Sequence, residues 1–186
     1  MRNLVKPAIV LFIISAVAAG LLGFVSAVTA DPIAKAEADA KAANMAMVFE
    51  CDEWSEAVLV EDSIITDYSE GIVGGEVAGY AFSVTTKGYG SGLKIMVGID
   101  TEGVITGISI VDCSNETPGL GANAAKPEFY GQYAGKSGEL TVVKTGNAGE
   151  SEINAITGAT ITSKAVTDAV NTVSAYFNEN LKGGAN

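Results

Sequence analysis

The chain has 186 residues, with 22 acidic side chains against 11 basic ones, a formal charge of −11 and no histidine. So acidic a surface repels phosphate backbones and argues against a nucleic-acid partner. Without histidine the chain lacks both the commonest general base and the commonest zinc ligand. The two cysteines, Cys51 and Cys113, form no CxxC pattern that could build a zinc ribbon or an iron–sulfur cluster. One disulfide and two separate thiols both remain open.

Residues 8–28, AIVLFIISAVAAGLLGFVSAV, carry no charge. As a helix they reach roughly 31 Å, the thickness of a hydrocarbon core. Arg2 and Lys6 precede the run and Asp31 is the first charge after it. The positive-inside rule therefore expects a cytoplasmic N-terminus and an extracytoplasmic remainder. A cleavable signal peptide ending near Val28, Thr29 and Ala30 is the alternative, but the apolar run exceeds the ~7 to 15 residues of such a segment. An uncleaved anchor over residues 1–30 is the favoured reading. Residues 31–46, DPIAKAEADAKAANMA, predict a helix with Pro32 in its tolerant first turn. They open a helical stalk, residues 31–56, with no chemistry of its own.

A third segment, residues 57–186, has the texture of a folded domain. AVLVED, VAGYAFSVTTKGYG, GLKIMVGID and GVITGISIVD are β-rich runs broken by glycine. Asp100, Thr101, Glu102 and Gly103 read as a hairpin turn, and Ile95, Val97, Ile99, Ile105 and Ile108 as the core face of a largely antiparallel sheet. The loop NETPGLG, residues 115–121, follows; its Pro and glycines suit a close backbone approach to a ligand. KPEFYGQYAGKS predicts a short helix or turn, and ELTVVKTG a further strand. The last element is an amphipathic helix over about 164–182, with Val166, Ala169, Val170, Val173, Phe177 and Leu181 on its apolar face and Gly183 and Gly184 at its end. The expected fold class is α+β: one transmembrane helix, then a mainly antiparallel sheet with flanking helices.

Just before that last helix stands NAITGATITS, residues 154–163, in which five of ten side chains carry a hydroxyl or an amide. One hydroxyl can cap the helix. A helix N-terminus also favours phosphate, which Thr160, Thr162 and Ser163 are positioned to meet.

TGATIT, residues 157–162, resembles the Ser/Thr-Gly-Ala-Thr-x-Thr signature of the FMN-binding domain family, in which flavin mononucleotide is joined through its phosphate to the last threonine, here Thr162. GYGSGLKIMVGIDTEGVITGISIVD is similar to that domain's leading hairpin, and ETPGLG to its second signature loop. With the anchor and the helix before the domain, the whole chain resembles the RnfG family, subunits of the Rnf-type ferredoxin:NAD oxidoreductase complexes that couple electron flow to Na⁺ or H⁺ transport. The NqrC family of the Na⁺-translocating NADH:quinone reductases, usually longer, is the second resemblance. Asn154 stands where the family commonly has Asp, and Ser114 where it often has His.

The resemblance implies a covalent FMN cofactor, one-electron transfer, no catalytic residue in the hydrolase sense and no metal. It implies that the NETPGLG loop approaches the flavin, with Glu116 and Thr117 tuning polarity, Gly119 admitting the backbone and Leu120 giving apolar contact. Gly158 and Ala159 leave room for the ester at Thr162, while Thr160 and Ser163 serve the helix start and the phosphate. The implied partners are the other membrane subunits of the complex and a Mg²⁺-dependent transferase that takes the FMN moiety from FAD and releases AMP. Two competing readings remain. In a secreted binding module, TGATITS would only cap a helix. A stand-alone flavin reductase would need a substrate pocket with cationic or proton-donating groups, for which the chain offers no candidate.

Overall fold

The computed structural model describes residues 2–61, 63–144, 146 and 148–183. Asp62 of AVLVED, Thr145 of ELTVVKTG and Gly184 lie outside the described residues. The chain divides into two units, residues 1–42 and 43–186.

The described residues of the first unit are all helical. Helix α1 runs from Arg2 to Val48 with Pro7 and Pro32 inside it. The separate helix expected to start at Pro32 is therefore a continuation of the first. Pro32 forfeits one hydrogen bond to the preceding turn, and the alanine-rich sequence around it keeps the helical conformation favourable. Leu11, Phe12, Leu22 and Phe24 are all more than three-fifths exposed. A helix that is apolar around its whole circumference and unburied has the character of a membrane span, and α1 is long and apolar enough to cross one.

The second unit is built on a six-stranded sheet in which every pairing is antiparallel. Its body is a meander of β3 (Ile65–Val73), β4 (Glu76–Lys87), β5 (Ser91–Asp100) and β6 (Ile105–Asp112). The short strands β1 (Glu53–Trp54) and β2 (Val58–Leu59) both pair with β3. Strand β3 has no counterpart among the sequence expectations, and AVLVED supplies only the two residues of β2. The β3–β4 turn is Gly74-Gly75, with φ of +62° and +89°; a two-residue loop with both φ positive matches the twist of the strands it joins. The expected β5–β6 turn is present, with Asp100 Oδ1 accepting the Glu102 and Val104 N–H groups at 2.9 and 2.8 Å.

One face of the sheet carries Tyr80, Phe82, Leu93, Ile95, Val97, Ile99, Ile105 and Ile108, all in one core with α3 (Thr160–Asn180). Ile105 and Ile108 share this face despite odd spacing because a register shift opposite Gly98 and Ile99 inserts an extra residue. Helix α3 contributes Val166, Ala169, Val170, Val173 and Phe177, each at most 1% exposed. Leu181 packs at the margin. Full burial of each large apolar side chain is worth about 1.5–3 kcal/mol. The opposite face holds Ala81 and Met96 against Met45 and Val48 from the end of α1, where Thr106 Oγ1 donates to the Val48 carbonyl in the last turn of the helix at 2.5 Å.

Between β6 and α3 the chain forms a short 3₁₀ turn (Gly121–Ala125), α2 (Pro127–Tyr130) and the strands β7 (Thr141–Val143) and β8 (Glu152–Asn154). The last two pair in parallel as a separate two-stranded sheet, beside the mainly antiparallel sheet that the sequence leads one to expect. Asn171 on α3 clamps Leu140 by both its backbone N–H and C=O, and Tyr133 meets Thr167 at 2.8 Å. Burial pushes the Tyr133 phenol well above its usual range, so this contact stays neutral. These ties fasten Leu140, which leads into β7, and Tyr133 to α3.

Candidate functional site

The site forms where the loop after β6 meets the first turn of α3. Asp112 Oδ1 accepts the Ser114 N–H at 2.9 Å, and Asn115 Nδ2 donates to the Ser91 carbonyl at 2.8 Å. Both bonds turn the loop back over the β4–β5 connection. Glu116, 4% exposed, is thereby turned inward. Its Oε1 accepts the Gly90 N–H at 3.0 Å, and its Oε2 accepts the hydroxyl proton of Thr162 at 2.6 Å. Thr162 is 1% exposed. At 2.6 Å the contact between the two is a short O–H···O hydrogen bond.

Gly121 is the hinge of this arrangement. A Cβ there would lie 2.7 Å from Thr162 Oγ1 and in still closer conflict with Glu116 Oε2. Only a glycine leaves both side chains where they are.

Around Thr162 lies a cavity of about 500 Å³ lined by Tyr89, Thr117, Leu120, Gly121 and residues 158–162. Tyr89, Leu120 and Ile161 are exposed at its rim, so its mouth is apolar while its wall carries hydroxyls. The structure thus brings Thr117, Leu120, Gly158, Ala159, Thr160 and Thr162 together on one cavity, with Glu116 bonded to the last. Gly119 sits in the same loop at φ +76°. Tyr89, Gly121 and Ile161 also line the cavity; the GYG spacing around Tyr89 is the one sequence signal that the β4–β5 connection could approach it.

Ser163 is not among the lining residues. It is fully buried, and its Oγ donates to the Ala159 carbonyl at 3.0 Å and accepts the Ile156 N–H at 2.9 Å. Ser163 thus holds the bend before the helix. The expected hydroxyl cap is also missing, for Ala159 occupies the N-cap position with no side-chain bond. Since α3 begins at Thr160, four residues earlier than expected, Thr160, Thr162 and Ser163 all lie inside its first turn.

Asn154 faces a different cavity, of about 370 Å³, with Asn123, Lys126, Phe129 and Gln132. Its backbone is bracketed by Gln132 through bonds of 2.8 and 3.3 Å, and its Oδ1 is buried without a partner. Cys51 and Cys113 are free thiols. Burial, followed by the negative charges of Asp112 and Glu116, pushes the Cys113 thiol up, so it stays protonated beside the site.

Residues 88–175 match the FMN-binding domain family and residues 1–48 the RnfG N-terminal region. The chain is 42% identical over 183 residues to the G subunit of the Na⁺-translocating ferredoxin:NAD⁺ oxidoreductase complex of Acetobacterium woodii, covering 89% of this chain and 87% of that protein. The chain belongs to the RnfG family. A second relative, the G subunit of the ion-translocating oxidoreductase complex of Methanosarcina acetivorans, is 31% identical over 185 residues, covering 94% of this chain and 95% of its own length. Among solved structures, the C subunit of the Na⁺-translocating NADH-quinone reductase of Parabacteroides distasonis aligns with a TM-score of 0.48 at 30% identity, over 60% of this chain and 61% of that one. The FMN-binding match of this RnfG protein encloses the whole site, from the β4–β5 connection through the Glu116 loop to Thr162.

Proposed function

We propose that this chain is the membrane-anchored, electron-carrying subunit of an ion-translocating ferredoxin:NAD oxidoreductase complex, and that it carries FMN joined by a phosphoester to Thr162. The observation that supports the attachment is the Thr162 hydroxyl in the wall of the cavity at the head of α3, hydrogen-bonded to Glu116. The cavity lies within the ~300–1,000 Å³ usual for small-ligand sites. The N–H groups of Thr160, Ile161 and Thr162 precede the first bond of α3, from the Ser163 N–H to the Ala159 carbonyl, and carry the helix's partial positive charge, which favours a phosphate beside Thr162. Thr160 and Thr117 offer hydroxyls to the polar parts of the ligand. Leu120, Tyr89 and Ile161 suit the face of a planar ring, and Gly119, Gly158 and Ala159 keep the approach open.

Bound there, the flavin supplies one-electron carriage between redox partners, while the protein supplies position and electrostatics. As an RnfG protein, the chain is a redox component of a larger assembly and not a stand-alone enzyme. Residues 1–30 act as the anchor with the N-terminus in the cytoplasm, residues 31–56 as the stalk, and residues 57–186 as the FMN domain on the extracytoplasmic side. Anchoring raises the effective concentration of the carrier near its membrane partners, so weak docking suffices. Maturation requires a separate FAD-dependent FMN transferase.

The test is a denaturing gel of the full chain from cells that coexpress the transferase. A fluorescent band, bleached by dithionite and restored by air, is expected. A yellow native protein whose flavin is lost on denaturation would contradict the ester, and a colourless one the whole proposal.

A further inference from the structure

A threonine hydroxyl is a weak nucleophile, because its proton must be removed as it attacks. In this chain the proton acceptor is already in contact with it. Thr162 Oγ1 donates its proton to Glu116 Oε2 at 2.6 Å, and Thr162, though only 1% exposed, is among the residues that line the cavity. Elsewhere in the run, Ser163 directs its hydroxyl to the Ala159 carbonyl, which cannot accept a proton outright. Glu116 is held in register from its other oxygen by the Gly90 N–H, in space that Gly121 leaves open by having no Cβ.

We infer that Glu116 is the proton acceptor for its own chain's flavin attachment, working inside the substrate protein alongside the transferase. This rests on the assignment of Thr162 as the attachment site. In the step, Thr162 Oγ1 bonds to the flavin-side phosphorus of FAD. The bond from that phosphorus to the bridging oxygen breaks, AMP leaves with that oxygen, and the Thr162 proton passes to Glu116 Oε2. No redox change occurs, and atoms and charge balance.

The product explains why the proton stays. Once esterified, Thr162 Oγ1 has no hydrogen to donate, and a Glu116 carboxylate would then face a phosphodiester anion in a pocket where it is 4% exposed. Two like charges at such a site cannot both remain ionised at low cost. As a neutral acid, Glu116 instead donates its proton in a hydrogen bond to a phosphoester oxygen. Glu116 is thus the group that receives the proton Thr162 gives up.

The experiment uses the full chain in detergent with transferase, FAD and Mg²⁺, and follows intact mass against time. E116Q keeps the shape but has a single acceptor oxygen, which serves either Thr162 or the Gly90 N–H, and it cannot take the proton. Its kcat for attachment should fall by about 10²–10⁴-fold, the usual contribution of a positioned base, with KM for the chain unchanged. E116Q modified at the wild-type rate, or slowed through KM alone, would overturn the inference. An unmodified wild-type chain would instead overturn the Thr162 assignment itself. A second readout needs no variant: infrared difference spectra of the wild-type chain before and after attachment should gain a protonated-carboxyl C=O band. Its absence would overturn the retained proton.

Discussion

Thr162→Ala leaves the chain at its unmodified mass after coexpression with the transferase, and its denatured band is dark. The loss is complete because, among the described residues, no other hydroxyl combines a position on the cavity wall with a carboxylate partner: Thr160 lines the cavity without such a bond, and Ser163 is enclosed by Ala159 and Ile156. Alanine is the best helix former, so α3 keeps its start. The cost to stability is the donor removed from buried Glu116, about 1–3 kcal/mol, visible as a lower urea midpoint with an unchanged slope. Two companions sharpen the result. Thr160→Ala should still take up flavin, and Thr162→Ser should take it up more slowly, because serine keeps the oxygen but lacks the β-branch that restricts the rotamer. Full modification of Thr162→Ala would refute the attachment.

The second large effect belongs to a residue with no side chain. Gly121→Ala puts a methyl group against both Glu116 Oε2 and Thr162 Oγ1. These two side chains must separate, or the loop must shift by a comparable amount. A misplacement of about 1 Å at a reacting pair can cost 10²-fold in rate, so attachment to Gly121→Ala should slow by at least about that factor. Gly121 is buried, so separating the pair should also lower the unfolding midpoint by an amount comparable to Thr162→Ala, about 1–3 kcal/mol, while the circular dichroism spectrum keeps its native shape. Attachment at the wild-type rate would mean that the contact between Glu116 and Thr162 is irrelevant to the chemistry.

The parts of this fold that are legible in the sequence are those whose signal is local. The charge-free residues 8–28 declare a membrane helix by length alone. The apolar face of α3 and the alternating Ile95, Val97 and Ile99 declare their period within a few turns or residues. Strand β3 is obscured for a physical reason: its run ITDYSEGIV buries Asp67 and Ser69 on the sheet and has register shifts near both ends, so no clean alternation survives. The Gly74-Gly75 hairpin is the local clue to it. Pro32 misleads because a helix that continues on both sides can tolerate one missing bond. The parallel pairing of β7 and β8 depends on tertiary contacts through Gln132 and Asn171 that no short window contains.

The site divides in the same way. TGATIT and ETPGLG can each be read as signatures, but nothing in their spacing says that Glu116 and Thr162, 46 residues apart, are hydrogen-bonded. Nor does the run's composition distinguish its hydroxyls. The structure does: Thr160 and Thr162 are among the residues lining the cavity, whereas Ser163 is bonded to Ala159 and Ile156 instead. Asn154 proves to face a neighbouring cavity, where its buried Oδ1 has no partner. An ionised Asp at that spot would need a donor that Asn154 Oδ1 lacks here.

The most direct measurement is peptide mass spectrometry of the chain after coexpression with the transferase. Lys144 and Lys164 bracket a tryptic peptide, residues 145–164, that contains Thr145, Ser151, Thr157, Thr160, Thr162 and Ser163. Fragmentation of that peptide should localise one FMN, less one water, on Thr162. The adduct on any of the other five hydroxyls, or a peptide of unmodified mass, would contradict it.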